Sequence, residues 1–263
     1  MKILMCVLVI AFAALASNVA DVVGNEGPYL WSGPSGGGPI WSPSLAILFD
    51  NGPFVTHEGI GYAGADVSMM EPTDNVYGFG IQRSAGNMGA DDFEIPAGET
   101  WNITKITVFG YQTNSGPSPT LNGLYIAIYD DPPTTGSMVY GDMNNNVFTT
   151  ASFTNCYRVL NGDASNSARP VMAAEAQFTD LTLPAGEYWL VFQLDGVSSS
   201  GPWGNPVAIL GETATGNAMQ YTSSGWANLI DSGNGAPKGL PFIIEGNTTA
   251  LERASWGSIK NSF

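Results

Sequence analysis

Two tryptophans in turn-rich segments give this sequence its clearest potential for ligand binding. Trp203 and Trp226 lie among Gly, Ser and Pro, and each is followed two residues later by an asparagine, Asn205 and Asn228. An indole face can stack on a sugar ring, and an amide can hydrogen-bond to sugar hydroxyls. The pattern predicts a carbohydrate-binding site at these four residues. The alternative is that both tryptophans pack in the interior, since Trp is highly buried on average.

A short run of alternating oxygen ligands indicates a second candidate site. Residues 142–146 read DMNNN, which places the side-chain oxygens of Asp142, Asn144 and Asn146 at every second position. Carboxylate and carbonyl oxygens are the ligands that Ca²⁺ takes. The glycine and the bidentate glutamate that complete an EF-hand loop are missing downstream. We therefore expect these three residues to form either a calcium site of another kind or an ordinary turn.

Few residues are suited to catalysis. A Ser or Cys nucleophile is usually activated by a histidine, and the only histidine, His57, lies beside a loop-like segment. Glycoside hydrolysis needs two facing carboxylates, and among 23 acidic residues the neighbours Asp91 and Asp92 are one candidate pair. Proximity in sequence alone does not define such a pair. A non-catalytic protein is therefore the main interpretation, and a carboxylate-dependent glycan hydrolase or lyase is the enzymatic alternative.

The charge of the chain argues against some classes of partner. Its 263 residues include 8 Lys and Arg against 23 Asp and Glu, for a net charge of -15. A chain this acidic is repelled by nucleic acid and by anionic membrane surfaces. We therefore expect a partner such as a glycan or another surface component, with no nucleic acid.

The N-terminus has the pattern of a signal peptide. A basic start is followed by an uncharged apolar run over residues 3–16, which is too short to span a membrane comfortably. Small residues before the end of this run predict cleavage after Ala16, with Ala20 as a second possibility and an uncleaved anchor as the alternative. Later in the chain no apolar run of 18 residues follows. We expect a secreted or cell-surface protein whose single remaining cysteine, Cys156, is a buried thiol or an intermolecular disulfide.

Short strand-like segments separated by turns dominate the rest of the chain. Residues 101–112 alternate between apolar and polar, and residues 124–130 and 188–195 are apolar on both faces. This predicts an all-β fold, an antiparallel two-sheet β-sandwich of jelly-roll type, over residues 45–246. A Gly/Pro/Ser-rich segment over 17–44, parts of which dock through its tryptophans, precedes the domain, and a mobile tail over 247–263 follows it. The expected core contains Ile106, Val108, Tyr125, Ala127, Trp189 and Val191.

Two segments 88 residues apart resemble each other. Residues 93–101 (FEIPAGETW) and 181–189 (LTLPAGEYW) share an apolar strand end, a Pro-Ala-Gly turn and an aromatic strand start. Pro presets the first central dihedral of such a turn. The spacing is too long for a solenoid repeat, so we expect two similar but separate hairpins.

Several short motifs together resemble a group of uncharacterised secreted bacterial β-sandwich proteins, over about residues 46–246. The motifs are residues 91–93, 101–103, 108–113, 157–159, 169–171, 184–190, 201–203, 216–218 and 239–246. The last ten residues, ASWGSIKNSF, look like a Trp-Gly-x-Ile-Lys ending found on exported proteins of some Gram-negative lineages. The resemblance implies export and a β-sandwich, and it brings no activity with it.

These observations favour a secreted or cell-surface, non-catalytic β-sandwich module for binding or adhesion, with glycans as the candidate ligand. A structural subunit of an envelope or matrix is the alternative from a different class. An aromatic-floored groove would favour the binding module, whereas a flat molecule with exposed edges would favour the structural subunit.

Overall fold

The fold consists almost entirely of β-strands. The computed structural model describes residues 18–24, 40–43 and 46–250, so the predicted signal peptide and residues 251–263 of the predicted tail lie outside the described residues. Within these ranges there is no α-helix, and two 3-10 turns occur at Tyr62–Gly64 and Arg83–Ala85. The strands are β1 (Ala20–Val22), β2 (Ile47–Asp50), β3 (Asp66–Met69), β4 (Val76–Gly80), β5 (Met88–Tyr111), β6 (Leu121–Tyr129), β7 (Met138–Gly141), β8 (Phe148–Val159), β9 (Pro170–Gly196), β10 (Trp203–Gly204), β11 (Met219–Thr222), β12 (Gly225–Asn228) and β13 (Phe242–Ala250).

All thirteen strands belong to one open, mixed sheet. Its main path runs β1-β4-β10-β5-β9-β6-β7, and the remaining strands branch from it. Among the described strands, β3 and β8 pair in parallel and the others are antiparallel. The all-β class predicted from the sequence is confirmed.

The centre of the sheet is a long ribbon made by β5 and β9, which bends back on itself. The two strands pair over nearly their whole length, but the register jumps between Ile95 and Thr100. The rings of Phe93 and Trp101 stack with centroids 6.3 Å apart, although eight residues of straight strand would span roughly 26 Å. Gly98 has a φ of 89° at this bend, a conformation that glycine adopts without steric cost.

The bend divides the ribbon into two parts, which we call half A and half B. Half A comprises residues 88–95 with 186–196, flanked by β11 and β6, and half B comprises residues 100–111 with 170–184, flanked by β13 and β8. The two Pro-Ala-Gly segments therefore face each other at one bend. The prediction of two separate hairpins was wrong, because the similar segments are partners in a single ribbon.

Side chains from both halves share one apolar core. Phe93 of half A contacts Phe242 next to half B, with ring centroids 6.1 Å apart. The same buried cluster contains Ile106 and Val108. All six predicted core residues are buried, but Ala127, Trp189 and Val191 lie in a separate cluster with Ala90 and Met219.

Strand β1 is attached through a buried ion pair. Asp21 accepts a hydrogen bond from Arg169 Nε at 2.6 Å, and both side chains are fully buried. Tyr111 also donates to Asp21, at 3.0 Å. Part of the predicted N-terminal segment is therefore a strand of the sheet. At the other end β13 continues to Ala250, opposite Glu99, so residues 247–250 are strand where a mobile tail was expected.

Candidate functional site

Two of the four predicted sugar-binding residues are buried. Trp203 is 3% exposed and packs with Tyr77 and Tyr111 in an interior cluster. Its strand, β10, is inserted between β4 and β5, and the indole of Trp203 therefore faces the protein. Asn205 is fully buried. Neither residue presents a surface to a ligand, so their assignment to a binding site is corrected.

The other two predicted residues lie in β12, in a different part of the molecule. Trp226 is half-buried and contacts Tyr221, with ring centroids 5.4 Å apart. It packs on the cluster that contains Trp189. Asn228 is exposed at the end of the strand, opposite Met219. The structure therefore does not bring the four predicted residues together.

The predicted calcium ligands are engaged in a turn. Asp142 Oδ1 accepts hydrogen bonds from the backbone and side-chain nitrogens of Asn144, at 2.8 and 3.2 Å. Asn146 Oδ1 accepts from the backbone nitrogens of Leu124 and Phe148, at 3.0 and 3.1 Å. Side chains of this kind commonly cap turns by bonding to nearby backbone groups. In the part of the chain that the structure describes, no three His, Cys, Asp or Glu residues are grouped to hold a metal.

The adjacent acids do not form a facing pair. Asp91 is buried, and its Oδ2 accepts from Leu240 N and Asn51 Nδ2, both at 2.7 Å. Burial raises the pKa of Asp91 to about 7, although these donors act in the opposite direction. Asp92 follows it in the same strand and therefore points to the opposite face. Burial also raises the pKa of the Cys156 thiol, which is typical of an unreactive cysteine.

A groove with aromatic lining lies on the outer side of half B. Its volume is about 310 Å³, which is within the usual range for small-ligand sites. The groove is flanked by residues 40–43 and by β2 with the loop after it. Strands β5, β8 and β13 also contribute side chains to its lining. The lining residues are Trp41, Pro43, Ile47, Asp50, Gly52, Pro53, Phe54, Val55, Phe109, Thr154 and Ile243.

Three aromatic rings meet at the groove. The rings of Trp41 and Phe109 are nearly perpendicular, at 84°, with centroids 5.1 Å apart. Phe54 contacts Phe109 at 4.6 Å and is tilted by 44°. Phe109 is buried, whereas Trp41 and Phe54 are half-buried. The two half-buried rings are the ones that retain surface for a ligand.

A buried charged cluster holds Trp41 in place. The indole nitrogen of Trp41 donates to Glu175 Oε1 at 2.7 Å. Lys105 Nζ lies 3.3 Å from the same oxygen and 2.6 Å from Glu245 Oε2. Hydrogen bonds to charged acceptors are roughly twice as strong as neutral ones. The side of the groove that Trp41 forms is therefore fixed by groups on the sheet beneath it.

The groove has two polar groups suited to hydroxyl recognition. Asp50 lies at the exposed rim, and partial burial raises the pKa of its carboxyl while a hydrogen bond from Gly52 N opposes the shift. Thr154 donates its hydroxyl hydrogen to Val171 O at 2.9 Å, which leaves its oxygen able to accept. The combination of flat apolar rings and a few polar groups can bind an amphipathic ring. Asp50 is the one carboxylate among the residues that line the groove.

The sequence contained a partial signal for this groove. The tryptophans of the Gly/Pro/Ser-rich segment were expected to dock on the body, and Trp41 does so. Trp41 and Phe54 lie near each other in the sequence, but nothing in the sequence linked them to Phe109 of β5. The structure alone brings them together.

Comparison with known proteins returned nothing: no protein-family model, curated protein or solved structure matches this chain. The resemblance to secreted bacterial proteins therefore stays a prediction. Over residues 18–24, 40–43 and 46–250, no helix is long and apolar enough to cross a membrane.

Proposed function

We propose that this protein is an exported, non-catalytic binding module that recognises glycans in the groove beside Trp41. The observation that carries the proposal is the pairing of two accessible aromatic rings, Trp41 and Phe54, with the polar groups of Asp50 and Thr154. Sugar rings have an apolar face that stacks on aromatic rings and hydroxyls that bond to carboxylates. A site of this composition binds a sugar without needing catalytic groups.

We further propose that the fold is a β-sandwich of jelly-roll type, in which halves A and B are the two sheets. The bend at residues 95–100 and the contact between Phe93 and Phe242 support this arrangement. In such a sandwich the groove lies on the outer face of one sheet. A ligand would reach it without disturbing the shared core.

Export is part of the proposal, and the contacts of the first described residues favour cleavage after Ala16 over cleavage after Ala20. Asn18 O accepts from Asn87 Nδ2 at 2.6 Å, and Val19 O accepts from Gln220 Nε2 at 2.7 Å. A cut after Ala20 would remove both acceptors and place a charged N-terminus on the fully buried Asp21. Unsatisfied buried donors are costly.

A structural subunit is the second candidate, and the edge strand β7 favours it. Met138 is 51% exposed and Val139 45% exposed on a strand that pairs on one side with β6. An exposed apolar edge is a template for pairing with another chain. This candidate predicts that the protein self-associates through β7. Val139→Lys should then abolish the self-association and leave sugar binding unchanged.

The proposal is tested by glycan binding to the mature protein and to two tryptophan variants. A glycan array identifies a ligand, and titration calorimetry measures its affinity for wild type, Trp41→Ala and Trp226→Ala. Losing a central aromatic contact typically costs tenfold or more in affinity. We expect that loss in Trp41→Ala and none in Trp226→Ala.

Circular dichroism checks that both variants fold. Equal binding by wild type and folded Trp41→Ala would refute the groove as the binding site. Failure of every glycan to bind wild type would refute the proposed function.

A further inference from the structure

The groove is negatively charged, and none of the described residues that line it has a cationic side chain. Asp50 is the charged member of that lining. Under Trp41 the cluster of Lys105, Glu175 and Glu245 carries one positive and two negative groups, a net charge of about one negative unit. The whole chain, these groups included, has a net charge of -15. The field around the groove therefore attracts cations and repels anions.

Asp50 is the group in this field that a ligand can reach. Among the described residues no Lys, Arg or His side chain forms an ion pair with it. Its hydrogen bond comes from Gly52 N at 3.2 Å. By contrast, Lys105 is 4% exposed and already lies between two carboxylates. An incoming cation would thus meet Asp50, whereas an incoming anion would find no accessible partner.

The aromatic rings complete a cation-binding set. Trp41 and Phe54 both line the groove with Asp50. The face of an aromatic ring is negative, so it attracts an ammonium group within about 6 Å of its centroid. A ligand with a flat apolar face and a positive group would therefore use the rings and the carboxylate together.

We propose that the groove selects glycans that carry protonated amino groups, with the ammonium paired to Asp50 and the sugar ring on Trp41 and Phe54. This inference rests on the proposed function and names the ligand class for the same site. It predicts that amino sugars bind better than neutral sugars of the same shape, and that sugar acids bind worst.

The test compares three tetrasaccharides by calorimetry at low salt and mildly acidic pH. The β-1,4 glucosamine tetramer differs from cellotetraose by an amino group in place of a hydroxyl on each ring. Tetragalacturonate supplies the anionic case. A pair at an exposed rim contributes up to about 1 kcal/mol, so we expect the glucosamine tetramer to bind about fivefold more tightly than cellotetraose.

Two variants separate the role of Asp50 from that of the overall charge. Asp50→Asn keeps the side-chain shape and removes the charge. Glu94→Gln removes one charge from an exposed residue of half A, which lies outside the groove lining. We expect the preference for the glucosamine tetramer to disappear in Asp50→Asn and to remain in Glu94→Gln.

The results distinguish this inference from the function on which it rests. Equal affinity of wild type for the glucosamine tetramer and cellotetraose, or a preference that survives in Asp50→Asn, would overturn amino-sugar selection and leave glycan binding intact. If none of the three tetramers binds and no other glycan does, both proposals fail. Tighter binding of tetragalacturonate would also overturn the inference, because it contradicts the charge of the groove.

Discussion

The outer faces of halves A and B are both rich in aromatic residues, but they are covered in different ways. On half A, Trp189 and Val191 lie under Trp226 and under Met143 from the turn after β7. Arg83 fixes this cover by donating to Met143 O. On half B the cover is Trp41 together with Phe54 and Val55 from the loop after β2, and a groove remains beside them.

This difference shows why a half-buried tryptophan is not by itself evidence of a binding site. Half A is closed by Trp226 of β12 and by Met143 of the turn after β7, which pack on its aromatic residues, so these residues contribute to stability. Half B is closed by Trp41 together with Phe54 and Val55, and a groove remains beside them. We therefore assign stability to the face with Trp226 and binding to the face with Trp41.

The largest effect is expected from Lys105, which is the cation of the charged cluster under the groove. Lys105→Ala leaves the fully buried Glu245 and the half-buried Glu175 without their cation. Breaking a buried pair in this way costs about 3–5 kcal/mol. Urea denaturation should show this loss in the free energy of unfolding.

The matched control on half A is Arg83→Ala. Arg83 is half-buried and stacks on the Tyr125 ring at 3.9 Å. It also donates to Met143 O and Gln193 Oε1. Because its removal leaves no buried charge unpaired, we expect a cost of about 2 kcal/mol, smaller than that of Lys105→Ala. If the two variants are destabilised equally, the contrast between the buried cluster of half B and the partly solvated arginine of half A is wrong.

The next largest effect is expected from Trp189→Ala, which separates the role of the outer face of half A from that of half B. Trp189 is 8% exposed in the cluster of half A, and Trp189→Ala should lower the free energy of unfolding by about 3 kcal/mol. Groove binding should be unchanged. Trp41→Ala loses the contact with Phe109 and the hydrogen bond to Glu175, so some loss of stability is expected, but unlike Trp189→Ala it should also cause a large loss of binding. A large loss of glycan affinity in folded Trp189→Ala would contradict this assignment.

The pH dependence of stability reports on Asp91, which accepts a hydrogen bond from Asn51 in the loop after β2. The pKa of Asp91 is about 7 in the folded protein against 3.8 for the ordinary carboxyl. Between these values the folded state holds the proton that the unfolded state has lost. The contribution of Asp91 to stability therefore falls as the pH rises from about 4 to about 7, by on the order of 1 kcal/mol per pH unit.

Chemical denaturation across this pH range measures the effect in wild type and in Asp91→Asn. The variant cannot ionise, so its stability should decline less steeply between pH 4 and 7. Parallel pH profiles for the two proteins would show that Asp91 does not titrate in this range.

The smallest effect is expected at the turn that presents Met143 to half A. Asp142→Ala removes the acceptor for the two nitrogens of Asn144, which should cost about 0.5–1 kcal/mol. Because the turn already uses these oxygens, added Ca²⁺ should leave the melting temperature of wild type unchanged. A rise in melting temperature with Ca²⁺ that disappears in Asp142→Ala would restore the calcium site.

The sequence predicted the all-β class and the burial of core residues, but it missed a change of face within β5. Simple alternation puts Ile103, Lys105 and Phe109 on the same face. In the structure the register shifts between Ile103 and Lys105, so Ile103 joins the shared core while Lys105 and Phe109 face outwards. An extra residue in one strand exchanges the two faces beyond it, and a single sequence does not reveal where such a bulge falls.

The candidate site was harder to predict than the fold because the segment that holds Trp41 and Phe54 meets strands that are far away in the chain, such as β5 with Phe109. Turn composition pointed to Trp203, yet Trp203 lies in a two-residue strand between β4 and β5, where neighbours on both sides bury it. Trp41 lies in a segment of similar composition and lines a groove. The two tryptophans differ in their long-range partners, which local composition does not encode.

Binding of a glycan beside Trp41 can be tested directly by ¹H–¹⁵N NMR, in which the indole N–H signals of the seven tryptophans are followed during a glycan titration. Single Trp→Phe variants assign the signals of Trp41, Trp189 and Trp226. We predict that the bound glycan shifts the Trp41 signal and leaves those of Trp226 and Trp189 in place. A titration that moves the Trp226 signal while Trp41 stays unchanged would contradict the account and place the site on half A.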